Sequence, residues 1–141
     1  MIKKKTFMIL QFQQQIDEMT KKAVKEFESA VLKERTDENR LNAIGNIYFL
    51  FSNKELKYIG QRQSKGIKTR LNQHLFGKSY SVNHKGKQNG TISKWNLVKK
   101  ELDIGNDIHF KTIHIIPDNL RTTIELEMIN KLKPEWNIQG K

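Results

Sequence analysis

The stretch GNIYFLFSNKELKYIG, residues 45–60, decides the fold. Two short runs, NIYFLF and ELKYIG, are rich in aromatic and branched residues and are separated by Ser52-Asn53-Lys54, the pattern of a β-hairpin. Downstream the period changes. Ile67, Leu71 and Leu75 recur every four residues, which predicts a helix over 64–76 with Gly77 as its stop. A long basic loop follows at 77–90, then a second helix over 91–102 ending at Gly105. DIHFKTIHII, 107–116, reads as a third strand, broken by Pro117 and Asp118. A last helix spans 120–132, and KPEWNIQGK reads as an extended tail. The expected architecture is α+β: a three-stranded antiparallel sheet flanked by helices.

Upstream, Phe12, Ile16, Met19, Ala23, Phe27 and Val31 form one apolar stripe at helical spacing, so residues 11–35 read as an amphipathic helix. TDEN at 36–39 reads as a loop. The chain divides in sequence into an N-terminal helical extension, 1–43, and a domain over 44–141. The helix either docks on that domain or pairs with a copy of itself. The 141 residues suit a single domain that buries enough surface to need no staples.

There is no cysteine, which excludes a disulfide scaffold, a thiolate zinc site and a cysteine nucleophile. The apolar runs are too short to span a bilayer, and no secretory signal is legible, so a soluble cytoplasmic protein is expected. The net charge of +11 is unevenly placed. Residues 56–100 contain 11 Lys/Arg and no Asp or Glu, while the rest of the chain holds 15 basic and 15 acidic residues. Such a block attracts a polyanion, and nucleic acid is the leading partner.

Tyr48 and Tyr58 lie on the two hairpin strands, Arg70 and His74 share one face of a helix, and Glu125 sits on the last helix, twelve residues before Asn137. Each has an ordinary reading. The tyrosines form a cross-strand aromatic pair, Arg70 and His74 form a solvated face, and Thr122 with Glu125 matches a capping box. Their order together resembles the GIY-YIG nuclease superfamily, including its small restriction enzymes and phage members. The first motif reads GNIY at 45–48 and the second YIG at 58–60; the family's helical arginine, metal-binding glutamate and C-terminal asparagine match Arg70, Glu125 and Asn137. The resemblance covers 45–139 and departs at Asn46, where the name-giving pattern has glycine. Residues 1–43 fall outside it.

The resemblance implies the GIY-YIG fold and a metal-dependent DNA endonuclease, of restriction or phage double-strand-cutting type. It implies Mg²⁺, with Mn²⁺ as a substitute, held by Glu125. Arg70 would hold a phosphate oxygen through its planar fork of donors. Tyr48 would act as general base or relay, assisted by His74, and Tyr58 would position the nucleophile or the phosphate. Arg62, Lys68, Lys85, Lys87, Lys94 and Asn137 are the expected contacts to nucleic acid. The alternative is a catalytically inactive or RNA-directed binding module of the same fold. Cutting both strands of double-stranded DNA from one set of motifs also implies a homodimer or higher homo-oligomer, with residues 12–35 at the interface. His84, His109 and His114 have no metal-ligand spacing and read as ordinary.

Overall fold

The structure, a computed structural model, describes residues 2–78 and 93–138. Its elements run α1 (Ile2–Ser29), β1 (Lys33–Glu34), α2 (Asp37–Leu41), β2 (Ile47–Ser52), β3 (Glu55–Gln61), α3 (Ile67–Phe76), α4 (Trp95–Asp103), β4 (Ile108–Ile113), α5 (Arg121–Leu132) and α6 (Glu135–Ile138). The class is α+β. The sheet has four antiparallel strands in the order β1-β4-β2-β3 rather than the expected three. The extra strand, β1, is two exposed residues, Lys33 and Glu34, that pair with Phe110 and His109. A strand made by backbone pairing of two charged residues has no hydrophobic signature to read.

The hairpin closes on a two-residue turn in which Asn53 and Lys54 both take left-handed φ, 49° and 68°, the turn that matches strand twist. A bulge follows: Leu50 pairs with Tyr58, but Phe51 pairs with Leu56, so Lys57 is an extra residue on β3. From the turn alone, Tyr58 would oppose Phe49. The bulge moves it opposite Leu50, onto the face that carries Tyr48.

Strand β2 is buried throughout because both faces are covered. Ile47, Phe49 and Phe51 pack with Ile16 and Ala23 of α1 and with Ile124 and Met128 of α5. Tyr48 and Leu50 pack with Ile67, Leu71 and Leu75 of α3, Val98 of α4 and Trp136 of α6. The second half of α1 therefore belongs to the main core, and the boundary near residue 43 is not a packing boundary. Helix α1 begins at Ile2 and ends at Ser29, so Val31 lies beyond it and is exposed. Its first turns, with Phe7, Met8, Ile9, Leu10 and Phe12, extend past the core and leave those side chains more than half exposed.

Two other expectations are corrected. The TDEN segment begins a short helix, because the Thr36 hydroxyl accepts from the Asn39 N–H at 3.1 Å and caps α2. The tail is not extended over 135–138 but forms α6, with Trp136 in the core. Helix α4 begins at Trp95; Lys85, Lys87 and His84 of the basic loop lie outside the described residues. No helix among the described residues is long and apolar enough to cross a membrane.

Candidate functional site

Tyr48 lies opposite Gly60 across the hairpin. Its ring covers the place a Cβ at residue 60 would occupy, so only glycine lets the tyrosine lie flat over β3. Tyr48 and Tyr58 form a diagonal pair, ring centroids 6.1 Å apart. Helix α3 supplies Arg70 and His74, one turn apart and both buried. It stops at Gly77, whose φ of 66° suits glycine and where a Cβ would stand 2.6 Å from the Trp95 ring. The missing side chain lets the start of α4 close against α3.

That closure fixes His74. The Lys94 backbone N–H donates to His74 Nδ1 at 2.8 Å, so Nδ1 carries no proton. In the neutral ring the proton then sits on Nε2, 2.7 Å from the Tyr48 hydroxyl, and donates to it. Burial, followed by the charges of Arg70 and Lys94, holds the His74 pKa well below its ordinary 6.5, so the ring stays neutral. A ring with Nδ1 occupied as acceptor and Nε2 as donor has no site for Tyr48's proton. Assistance from His74 therefore takes the form of a hydrogen bond donated to Tyr48.

Tyr48 is itself held on several sides. Burial raises its pKa, and a negative charge on Tyr58 would raise it further; the charge of Arg70 and a hydrogen bond from its guanidinium act against both. Burial raises the Tyr58 pKa as well, and the charge of Arg70 and the neighbouring Tyr48 hydroxyl act against that rise. Arg70 also donates to Gln73 Oε1 at 2.6 Å, which aims the guanidinium.

Glu125 arrives on α5, whose Ile124 and Met128 pack on the opposite sheet face. The two sets of residues meet along β3, the edge strand, in a cleft of about 450 Å³ lined by Tyr48, Tyr58, Gln61, Arg62, Gln63, Arg70, Arg121 and Glu125. The capping-box reading of Glu125 fails: Thr122 is already inside α5, and no side chain caps that helix. Glu125 makes no hydrogen bond or ion pair with any described residue. Burial raises its pKa to about 7. A half-buried carboxylate with no partner among the described residues, in a cleft with room for ordered water, suits a hard cation that keeps several waters.

The cleft thus gathers Tyr48, Tyr58, Arg70, Glu125 and Arg62, with His74 directly behind Tyr48. Lys94 sits beside it, its ammonium 5.3 Å from the Tyr58 ring centre. Lys68 is exposed on α3 and does not line the cleft. Asn137 has a structural place: its carboxamide accepts from Ile59 N–H and donates to Ile59 C=O, both at 2.8 Å, pairing like a strand residue with the free edge of β3. Three lining residues were not anticipated: Gln61, Gln63 and Arg121. Arg121 is legible in retrospect, since it lies four residues before Glu125 and so on the same helix face. Comparison with family models, with curated proteins and with solved structures finds no match for the chain.

Proposed function

We propose that this protein is a metal-dependent DNA endonuclease of GIY-YIG type. The observation that carries the reading is the convergence, in one cleft, of two tyrosines, a buried arginine and a carboxylate without a partner among the described residues, from four separated elements. Hydrolysis of a phosphodiester needs an oriented water, compensation of phosphate charge and support for the departing oxygen. Arg70 faces the phosphate with a fork already aimed by Gln73. Glu125 would hold Mg²⁺, which supplies positive charge to the phosphate and to the leaving oxygen when bound.

The Tyr48 hydroxyl accepts from His74 and so directs its own proton away from that ring, with Arg70 and Tyr58 beside it in the cleft. Tyr58 lines the same cleft, and we assign it the orientation of the attacking water. Tyr48 stands behind it, and charge developing on the tyrosine pair is met by the donors on Arg70 and His74. A donor role for His74 predicts partial rescue: His74→Gln should retain more cleavage than His74→Ala, and the pH–rate profile should show no inflection belonging to His74 between about pH 5.5 and 7.5.

The decisive experiment is incubation of supercoiled DNA with the protein and Mg²⁺. Nicked or linear product is expected from the wild type. Glu125→Gln should abolish it while leaving DNA binding in place, because the substitution removes the ligand and not the basic surface. Undiminished Mg²⁺-dependent cleavage by Glu125→Gln would reject the site.

Cleavage of both strands needs two such sites, and the partner we propose is a second copy. The exposed run Phe7–Phe12 on α1 is preceded in sequence by Lys3, Lys4 and Lys5 and followed by Asp17 and Glu18. Antiparallel pairing of two copies covers the apolar run. Phe27 is unsuited to the test, since it packs in the core. Sedimentation of Leu10→Glu beside the wild type decides: a dimer is expected for the wild type and a monomer for the variant, and a wild type monomeric at micromolar concentration removes the pairing.

A further inference from the structure

Arg121 is tied into the wall of the cleft by a chain of bonds that begins deep in the fold. Asn46, fully buried, clamps the chain after β4: its Oδ1 accepts from Ile115 N–H at 2.7 Å and its Nδ2 donates to Ile115 C=O at 2.8 Å. The same Nδ2 donates to Asp118 Oδ1 at 3.1 Å. Asp118 Oδ2 and its backbone carbonyl then receive Arg121 Nη1. On the other side, Arg121 Nε donates to Gln61 Oε1 at 2.8 Å, across to the end of β3.

This arrangement uses Nε and Nη1 and leaves the two hydrogens of Nη2 with no partner among the described residues. The guanidinium is therefore fixed in position with one edge open in a polar cleft. The lining carries three guanidinium groups, Arg62, Arg70 and Arg121, against the single carboxylate of Glu125. Asp118 offsets one of those charges through its ion pair with Arg121, yet the open Nη2 edge remains available to an anion. Arg70 already faces the tyrosine pair. Arg121, one turn before Glu125 and bridged to β3, is placed for a second anion beside the first.

We infer that Arg121 forms a second phosphate subsite, holding the backbone phosphate next to the scissile one, with Arg62 contributing charge. Asn46, Asp118 and Gln61 are its positioning residues. The inference rests on the nuclease reading and gives that site its substrate register: the strand is gripped at two successive phosphates, and the bond between the two grips is set over the tyrosines. A dinucleotide with one free flanking phosphate would then be the minimal recognised unit.

The test is done in the Glu125→Gln background, where DNA is bound and not cut. Duplex binding is measured against salt for this protein and for the same chain carrying Arg121→Gln. Loss of one phosphate contact should weaken binding at least about tenfold, as for a charged hydrogen bond. It should also reduce the slope of log K against log salt by about 0.9. The location is tested by uncharged methylphosphonate linkages, placed singly on either side of the bond the wild type cuts. One flanking position should weaken binding to the Arg121 protein and not to Arg121→Gln. Thermal unfolding checks that both proteins are folded; if Arg121→Gln is not, Arg121→Lys replaces it and should keep the salt slope while losing affinity. Unchanged slope, or methylphosphonate effects that simply add to that of Arg121→Gln at every position, overturns the subsite and leaves the nuclease reading intact. No DNA binding by Glu125→Gln, together with no cleavage by the wild type, removes both.

Discussion

The two faces of β2 are built from alternate residues of one strand and have opposite character. On one face Phe49 and Phe51 meet Phe27 of α1, with ring centroids 4.4 and 6.0 Å apart, and Lys111 lays its ammonium 4.9 Å from the Phe27 centroid. That ammonium also donates to the Phe27 carbonyl at 2.9 Å, while the ring packing itself needs no hydrogen bond. On the other face Tyr48 is as deeply buried as Phe49, but its neighbours include His74, Arg70 and Gln73. A buried polar group costs free energy unless it is bonded. The polar face is therefore a network in which His74 answers to Lys94 and Tyr48, and Arg70 to Gln73 and Tyr48. The apolar face holds the fold together by area. The polar face gives up part of that gain and obtains fixed directions for its donors.

Removing area from the apolar face should have the largest effect on stability. Phe49→Ala is expected to cost about 3–5 kcal/mol, read by urea unfolding. Tyr48→Phe keeps the ring and removes only the oxygen. It should cost less, about 1–3 kcal/mol for donors left unpaired, yet reduce cleavage by roughly 10²- to 10⁴-fold. A stability loss from Tyr48→Phe as large as that from Phe49→Ala would erase the distinction between the faces.

The faces should also differ in their response to acid. In the folded protein His74 resists protonation, whereas in the unfolded chain it takes a proton near pH 6.5. The stability due to its neutral ring is present in full above that value and is lost as pH falls from it toward the lower folded pKa. Between pH 7.5 and 5 the wild type should lose stability more steeply than His74→Gln, while Phe49→Ala should keep the wild-type slope. Equal slopes for wild type and His74→Gln would contradict the neutral, donor-only histidine.

The smallest effect falls on the first half of α1, by contrast with its second half. Ile16 is 3 % exposed and Phe12 56 %, although one stripe contains both. Ile16→Ala should cost about 2–5 kcal/mol. Phe12→Ser should change the stability of the monomer by no more than about 0.5 kcal/mol and act instead on self-association, measured by sedimentation.

The elements that carry the candidate site were legible because they have clear periods, while its residues were singled out by the family resemblance. The hairpin, the α3 stripe and its Gly77 stop can be read directly, as can the pairing of Arg70 with His74 on one turn. The direction of the Tyr48–His74 bond was not, since it depends on a backbone N–H twenty residues away at Lys94. Arg121 and Gln61 were missed because two polar residues sixty positions apart carry no joint signal until the chain folds.

By itself the sequence determined the α+β class, the order of the principal strands and helices and the acid-free basic block. These follow from local periodicity and composition, which are properties of neighbouring residues. Tertiary structure decided which side chains share a space. The Lys57 bulge put Tyr58 on the Tyr48 face. The edge position of β3 let α5 bring Glu125 to residues packed on the opposite side of the sheet, and the closure of α4 on Gly77 set the tautomer of His74. Each depends on a one-residue register or on contact between segments far apart in the chain. Local sequence does not encode such features, because their energy exists only once both partners are in place.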